Sequence, residues 1–184
     1  MIKEVTTIRE IASRTEQMIQ LAEEANELAI EALKLKKETK YSTQINNDAD
    51  FIEEIADVKI CIDIIGDYAN NIVTYNINIS RNELFELLAT HCCKLAKAVI
   101  KLRRTLVKEA SPTPVTLEEA EAALIQSICD IKSCIDAIGY YWDSDDVNRI
   151  YKEKANRFLK RMNLIWYYPR EKSLGYFIFL NCII

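Results

Sequence analysis

Glycine and proline are scarce in this 184-residue chain, three of each. A many-stranded sheet draws its tight turns largely from these two residues, so their scarcity speaks against one. No apolar run is long and uninterrupted enough for a membrane-spanning helix. The most apolar stretch, WYYPREKSLGYFIFLNCII (166–184), is broken by charge, proline and glycine. It could dock on the rest of the fold or be a tail foreign to it. The opening MIKEVTTIREI is charged and amphipathic and lacks the apolar core of a signal peptide. The six cysteines include no C-x-x-C pair, which removes the usual spacing of a structural zinc site. They read as small, reduced core residues of a cytoplasmic protein. His91, beside Cys92 and Cys93, offers a second, metal-ligating reading. A net charge of −4 gives no footprint for a nucleic-acid backbone, so neither nucleic acid nor membrane is expected as a partner.

What the chain does contain is helix-forming material. Hydrophobic residues make up 49% and charged residues 28%, a globular balance, and Glu, Lys, Leu, Ala and Ile are abundant. Five helices are expected. The first runs from about Thr6 to Lys37, with Ile8, Ile11, Met18, Leu21, Ala25, Leu28, Ala32 and Leu35 at three- and four-residue steps. The polar ETKYSTQINNDA ends it. The second opens at Asp50, with Glu53 three residues on, and reaches about Tyr68. VTYNINI then reads as an extended linker, since a lone strand would have no partner. Ser80 with Glu83, and Thr116 with Glu119, form capping boxes for a third helix ending near Val107 and a fourth ending near Tyr141. SPTPV separates those two. The fifth starts near Ser144 or Asp145 and carries IYKEKANRFLKRM.

An internal repeat runs through this layout. IADVKICIDIIGDY (55–68) matches ICDIKSCIDAIGYY (128–141), sharing Asp57/Asp130, Lys59/Lys132, Cys61/Cys134, Asp63/Asp136 and Gly66/Gly139 among others. LAEEANELAIEALKLKK (21–37) aligns without a gap on LATHCCKLAKAVIKLRR (88–104). The expectation is all-α, with a four-helix-bundle core built from two tandem helical repeats, an intramolecular pseudo-dimer. Its parts are residues 1–79, 80–165 and a C-terminal apolar tail, 166–184.

The informative positions are those at which the copies differ. Glu24 and Glu27 are three apart, so they share a helix face, as do Glu54 and Asp57. On antiparallel neighbouring helices the two pairs converge, and hard cations such as Mg²⁺ or Mn²⁺ neutralise such a quartet. The second copy has His91, Lys94, Ser127 and Asp130 at these positions, so three of the four acids are missing while the packing residues survive. One E-E-x-x-E alone is common on a solvated face; two motifs on consecutive helices, in one half of a duplication, are not.

EEANE (23–27) followed by EEIAD (53–57) resembles the E-E-x-x-E … E-x-x-D signature of the MazG-like superfamily of all-α nucleoside triphosphate pyrophosphohydrolases. That superfamily includes the MazG enzymes, dimeric dUTPases, dCTP pyrophosphatases and phosphoribosyl-ATP pyrophosphohydrolases. The resemblance covers about residues 15 to 165. It implies Mg²⁺, with Mn²⁺ as a substitute, on Glu24, Glu27, Glu54 and Asp57, and water attack at the α-phosphorus to give a monophosphate and pyrophosphate. Glu23 and Glu53 match the leading acids of the motifs; each either handles the attacking water or is a solvated neighbour. Lys154, Arg157 and Arg161, at i, i+3 and i+7, match the basic helix of the family and would bind phosphate, unless they form a charged solvent face. Lys94 would reach the phosphates from the second copy. Tyr68, Tyr140, Tyr141 and Trp142 either stack on a base or belong to the core. The competing expectation is a catalytically inactive helical interaction module of the same fold. Base and sugar preference, and association into a homo-oligomer, are left open.

Overall fold

The computed structural model describes residues 3–41, 48–66, 68, 72–110 and 112–167. Among these the protein is all-α: α1 (Lys3–Ile11), α2 (Arg14–Tyr41), α3 (Asp48–Ile65), α4 (Arg81–Leu106), α5 (Leu117–Ile138) and α6 (Asp145–Tyr167). The expected single helix over 6–37 is instead two, α1 and α2, parted at Ala12 and Ser13. The Glu16 amide donates to Ser13 Oγ at 3.2 Å, and the Gln17 side-chain amide donates to the Ala12 carbonyl at 2.8 Å. Ser13 thus satisfies an orphan N–H of a new helix, which offsets the interruption of the old one.

Both expected capping boxes form. Ser80 and Thr116 accept from the amides of Glu83 and Glu119, whose carboxylates accept in return from the cap backbones. α5 stops at Ile138 rather than Tyr141, because Gly139 takes a left-handed conformation (φ 98°) that closes the last turn. α3 begins at Asp48 rather than Asp50 and ends at Ile65 rather than Tyr68.

α2 and α4 form the central pair, with α3 against α2 and α5 against α4; α6 and α1 close over α3. The α2 stripe of Leu21, Ala25, Leu28, Ala32 and Leu35 and the α4 stripe of Leu88, Cys92, Leu95, Val99 and Leu102 are all buried. Each buried leucine contributes about 1.5–3 kcal/mol, so this seam dominates the packing energy. Lys36 near the end of α2 pairs with Glu86 near the start of α4, which makes these helices antiparallel. Phe51 of α3 stacks edge-on against Phe85 of α4 and Tyr140, with ring centroids 6.0 and 5.0 Å apart.

The segments that align in sequence fall on corresponding elements, 21–37 in α2 and 88–104 in α4, with 55–65 in α3 and 128–138 in α5. The two halves also interlock, since α6 packs on α3 and α1. The 72–79 stretch, neither helix nor strand, lies on α5, where the Val73 amide donates to Cys129 Sγ at 3.4 Å and the Tyr75 amide to Ser133 Oγ at 3.1 Å.

Of the cysteines among the described residues, Cys93 is exposed, against the expectation of a core position, and Cys61, Cys92, Cys129 and Cys134 are buried. No helix among the described residues is long and apolar enough to cross a membrane. Most of the apolar tail, 168–184, lies outside the described residues.

Candidate metal centre

α2 and α3 bring the acidic motifs together. One carboxylate oxygen from each of Glu24, Glu27 and Glu54 lies within 4.8 Å of the others, the one such grouping of three or more ligating side chains among the described residues. Glu24 and Glu54 are half-buried and Glu27 is exposed, so the cluster opens to solvent on one side. Burial and then the Asp57 charge raise the Glu24 carboxyl from 4.5 to about 7, against a hydrogen bond from Gln20 that lowers it. Glu54 is raised further, to about 8, by burial and then by Asp57, Glu27 and Glu24. These groups resist ionising together until a cation is supplied.

The cluster fits a hard divalent cation. Its donors are all carboxylate oxygens, the donor class that Mg²⁺ and Mn²⁺ take. Glu54 Oε2 is moreover buried with no hydrogen-bond partner, an unmatched acceptor on one of the three clustered carboxylates.

Asp57, the fourth acid of the motif, is held differently. Its Oδ2 accepts from Lys154 Nζ of α6, and the same ammonium lies 2.7 Å from Glu53 Oε1. Burial pushes the Asp57 carboxyl above its usual range, while the Lys154 contact pulls it down. Lys154 therefore neutralises Asp57 and fixes Glu53 at the edge of the cluster. Cys61 is buried beneath, its thiol driven well up by burial and then by the charges of Glu24 and Asp57.

The other expected residues are distributed unevenly. Glu23 is exposed on the flank of α2. Arg157 and Arg161 are exposed on α6, so of the three basic residues only Lys154 meets the acids. Lys94 is also exposed and sits beside His91, where its charge helps lower the imidazole. Sequence reasoning missed Gln20, one turn before Glu24 on its own face, which the i, i+4 spacing could have exposed.

In the second half the corresponding positions carry a different network. His91 Nδ1 lies 3.0 Å from Asp130 Oδ2, an electrostatic contact without hydrogen-bond geometry. Asp130 Oδ1 accepts from the Tyr75 hydroxyl at 2.9 Å and from the Gln126 amide at 2.7 Å. Burial lowers the His91 imidazole below its usual value against the pull of Asp130. Cys92 and Cys93 form no metal-ligating group with His91, which replaces the metal reading of that trio. Asp57 is thus closed by a lysine from α6, and Asp130 by a tyrosine from the 72–79 stretch.

The aromatics divide similarly. Tyr68 and Trp142 are buried, Tyr140 packs on Phe51, and Tyr141 is exposed. Tyr68 alone lines a cleft, one of about 540 Å³ that it shares with Arg14 and Glu121. Comparison of the chain with protein-family models, with curated proteins and with solved structures finds no match.

Proposed function

We propose that the protein is a Mg²⁺-dependent nucleoside triphosphate pyrophosphohydrolase, splitting a triphosphate into a monophosphate and pyrophosphate, with one active site per chain. The observation that carries this reading is the Glu24–Glu27–Glu54 triad, one carboxylate oxygen of each lying within 4.8 Å of the others, with Glu54 Oε2 buried and unpartnered. The resemblance of EEANE and EEIAD to the MazG-like signature supplies the reaction class. Bound there, Mg²⁺ or Mn²⁺ would clamp phosphate oxygens and neutralise their developing charge.

The chain's own groups divide the remaining work. Glu24, Glu27 and Glu54 would hold the cation, and Asp57 would be free to join them only with its ion pair to Lys154 broken. Lys154, poised between Asp57 and Glu53, is the ammonium nearest the acids and can pass from carboxylate to phosphate oxygen when substrate arrives. Glu53, fixed by that ammonium at the cluster's edge, is better placed than Glu23 to take a proton from the attacking water. The second half, with His91, Lys94 and Ser127 in place of three of the acids, acts as scaffold to the first.

The test is a panel of canonical nucleoside and deoxynucleoside triphosphates, with Mg²⁺ and Mn²⁺ each supplied and pyrophosphate detected. Release from at least one nucleotide, lost in Glu54→Ala with helicity intact, is expected. Silence across the panel would sink the hydrolase. A second reading, an inactive helical interaction module of the same fold, is favoured by one observation: Lys154 already neutralises Asp57 and Glu53. It predicts no response of the thermal midpoint to either metal.

A further inference from the structure

The folded chain supplies its own cation to part of the carboxylate cluster. Lys154 comes from α6, which packs on α3. Its Nζ lies 2.7 Å from Glu53 Oε1 and contacts Asp57 Oδ2. The Lys154 and Asp57 side chains are largely shielded from water, at 17% and 18% exposure, and Glu53 is open at 46%. Glu53 and Asp57 stand at i and i+4 on α3, so the ammonium is gripped from two successive turns of one helix.

This pair adjoins the triad. Glu54 follows Glu53 in the chain and shares a face of α3 with Asp57. After burial, the Asp57 charge does most to raise both Glu24 and Glu54, and the Lys154 charge acts on both in the opposite sense. The acids therefore fall into two neighbouring sets. Among the described residues no salt bridge reaches Glu24, Glu27 or Glu54, whereas Glu53 and Asp57 share one ammonium. Neighbouring sets of carboxylates are what hold paired divalent cations about 3.5–4 Å apart in two-metal sites.

Resting on the metal centre proposed above, we propose that the Lys154 ammonium stands in for a second divalent cation, so that each chain takes one metal ion where the bare carboxylates would take two. The ammonium has half the charge of Mg²⁺ and forms hydrogen bonds in place of coordinate bonds, yet its tether favours it. A cation fixed to a packed helix competes as though present at about millimolar concentration, while a free ion must give up bound water to enter. Without the lysine, Asp57 and Glu53 are left as paired acceptors beside the triad, open to a hard cation.

The experiment counts Mn²⁺ on the purified chain by calorimetry and by the electron paramagnetic resonance of the bound ion. The wild type is expected to bind one Mn²⁺ and to show the sharp hyperfine pattern of an isolated ion. Lys154→Met should bind two, the second broadening the signal by spin coupling to the first. Lys154→Gln, also neutral, should give the same count and covers a methionine variant that fails to fold. Lys154→Arg keeps the cation and should still bind one. Adding Glu53→Gln to the neutral variant should return the count to one. Two ions on the wild type or on Lys154→Arg, or one on a folded neutral variant, overturns the assignment and leaves the metal centre standing. A second ion that stays uncoupled or survives Glu53→Gln binds elsewhere and overturns it as well. No Mn²⁺ on the wild type would remove the metal centre, and this assignment with it.

Discussion

Replacing Glu54 by glutamine should stabilise the protein in chelator and make it indifferent to Mg²⁺, a pair of effects that oppose each other in sign. Glu54 ionises only at about 8 against 4.5 for an ordinary glutamate, through burial and three neighbouring acids. A raised carboxyl means that the folded state binds a proton which the unfolded state has already lost. Stability from this group is therefore greatest below the ordinary value and is lost as pH rises through the folded one. Unscreened, the shift corresponds to about 5 kcal/mol, but a half-exposed group is screened by solvent, which leaves about 1–2 kcal/mol. Glu54→Gln removes that charge, so its thermal midpoint at about pH 8 in chelator should exceed that of the wild type by about 2–8 °C. Free Mg²⁺ at about a hundred times its dissociation constant adds about 2.7 kcal/mol to a protein that binds it only when folded. For a chain of this size that is about 5–10 °C, expected in the wild type and largely absent from the variant. Differential scanning fluorimetry of both proteins, with and without metal, reads the four midpoints. A wild type whose midpoint ignores Mg²⁺ and Mn²⁺, or a variant less stable than wild type in chelator, would refute the reasoning.

Three further outcomes follow from the same geometry. In chelator the wild-type midpoint should fall as pH rises from about 5 to about 8, because Glu24, raised to about 7, and Glu54, raised to about 8, both lose protons in that window; saturating Mn²⁺ should flatten the slope, as a pH series of melts would show. Lys154→Met leaves Asp57 and Glu53 without their shared cation, and should cost about 1–3 kcal/mol in a urea titration at neutral pH in chelator. Its turnover should fall at least about tenfold in the pyrophosphate assay if the ammonium passes to phosphate. Asp130→Asn should alter turnover by less than about threefold, whereas Asp57→Asn should abolish it; equal losses at the two positions would assign chemistry to both halves.

How much of this was legible in the sequence depended on whether the governing interaction is local. Ser80 and Thr116 announce their helices because the capping box lies within four residues. Ser13-Arg14-Thr15-Glu16 has the same form, yet the apolar periodicity continues across it from Ile8 to Met18 and Leu21, so one helix was expected where two form. The acids were legible because i, i+3 spacing determines a shared face. What closes them was not, since the Lys154–Asp57 contact joins residues 97 apart. The spacing of Lys154, Arg157 and Arg161 suggested three equivalent cations, and only packing of α6 on α3 singles out the first. VTYNINI (73–79) was expected as an extended linker, and the structure gives it neither helix nor strand. Its dock on α5 runs through Cys129, Ser133 and Asp130, and side-chain partners of backbone amides leave no periodic trace. The cleft escaped for a similar reason, as Arg14, Tyr68 and Glu121 come from three separate parts of the chain.

The reach of Lys154 across the fold also has a consequence for the newborn chain. α2 and α3 leave the ribosome with their acids long before α6 exists, and the lysine that neutralises Asp57 and Glu53 follows about a hundred residues later. At the usual rates of synthesis that interval lasts about 5–20 s, ample time for the first helices to collapse. During it Asp57 and Glu53 lack the lysine that pairs with them in the folded protein. Closing so long a loop is entropically slow, so the last helix to arrive sets the pace at which the acids become a finished site.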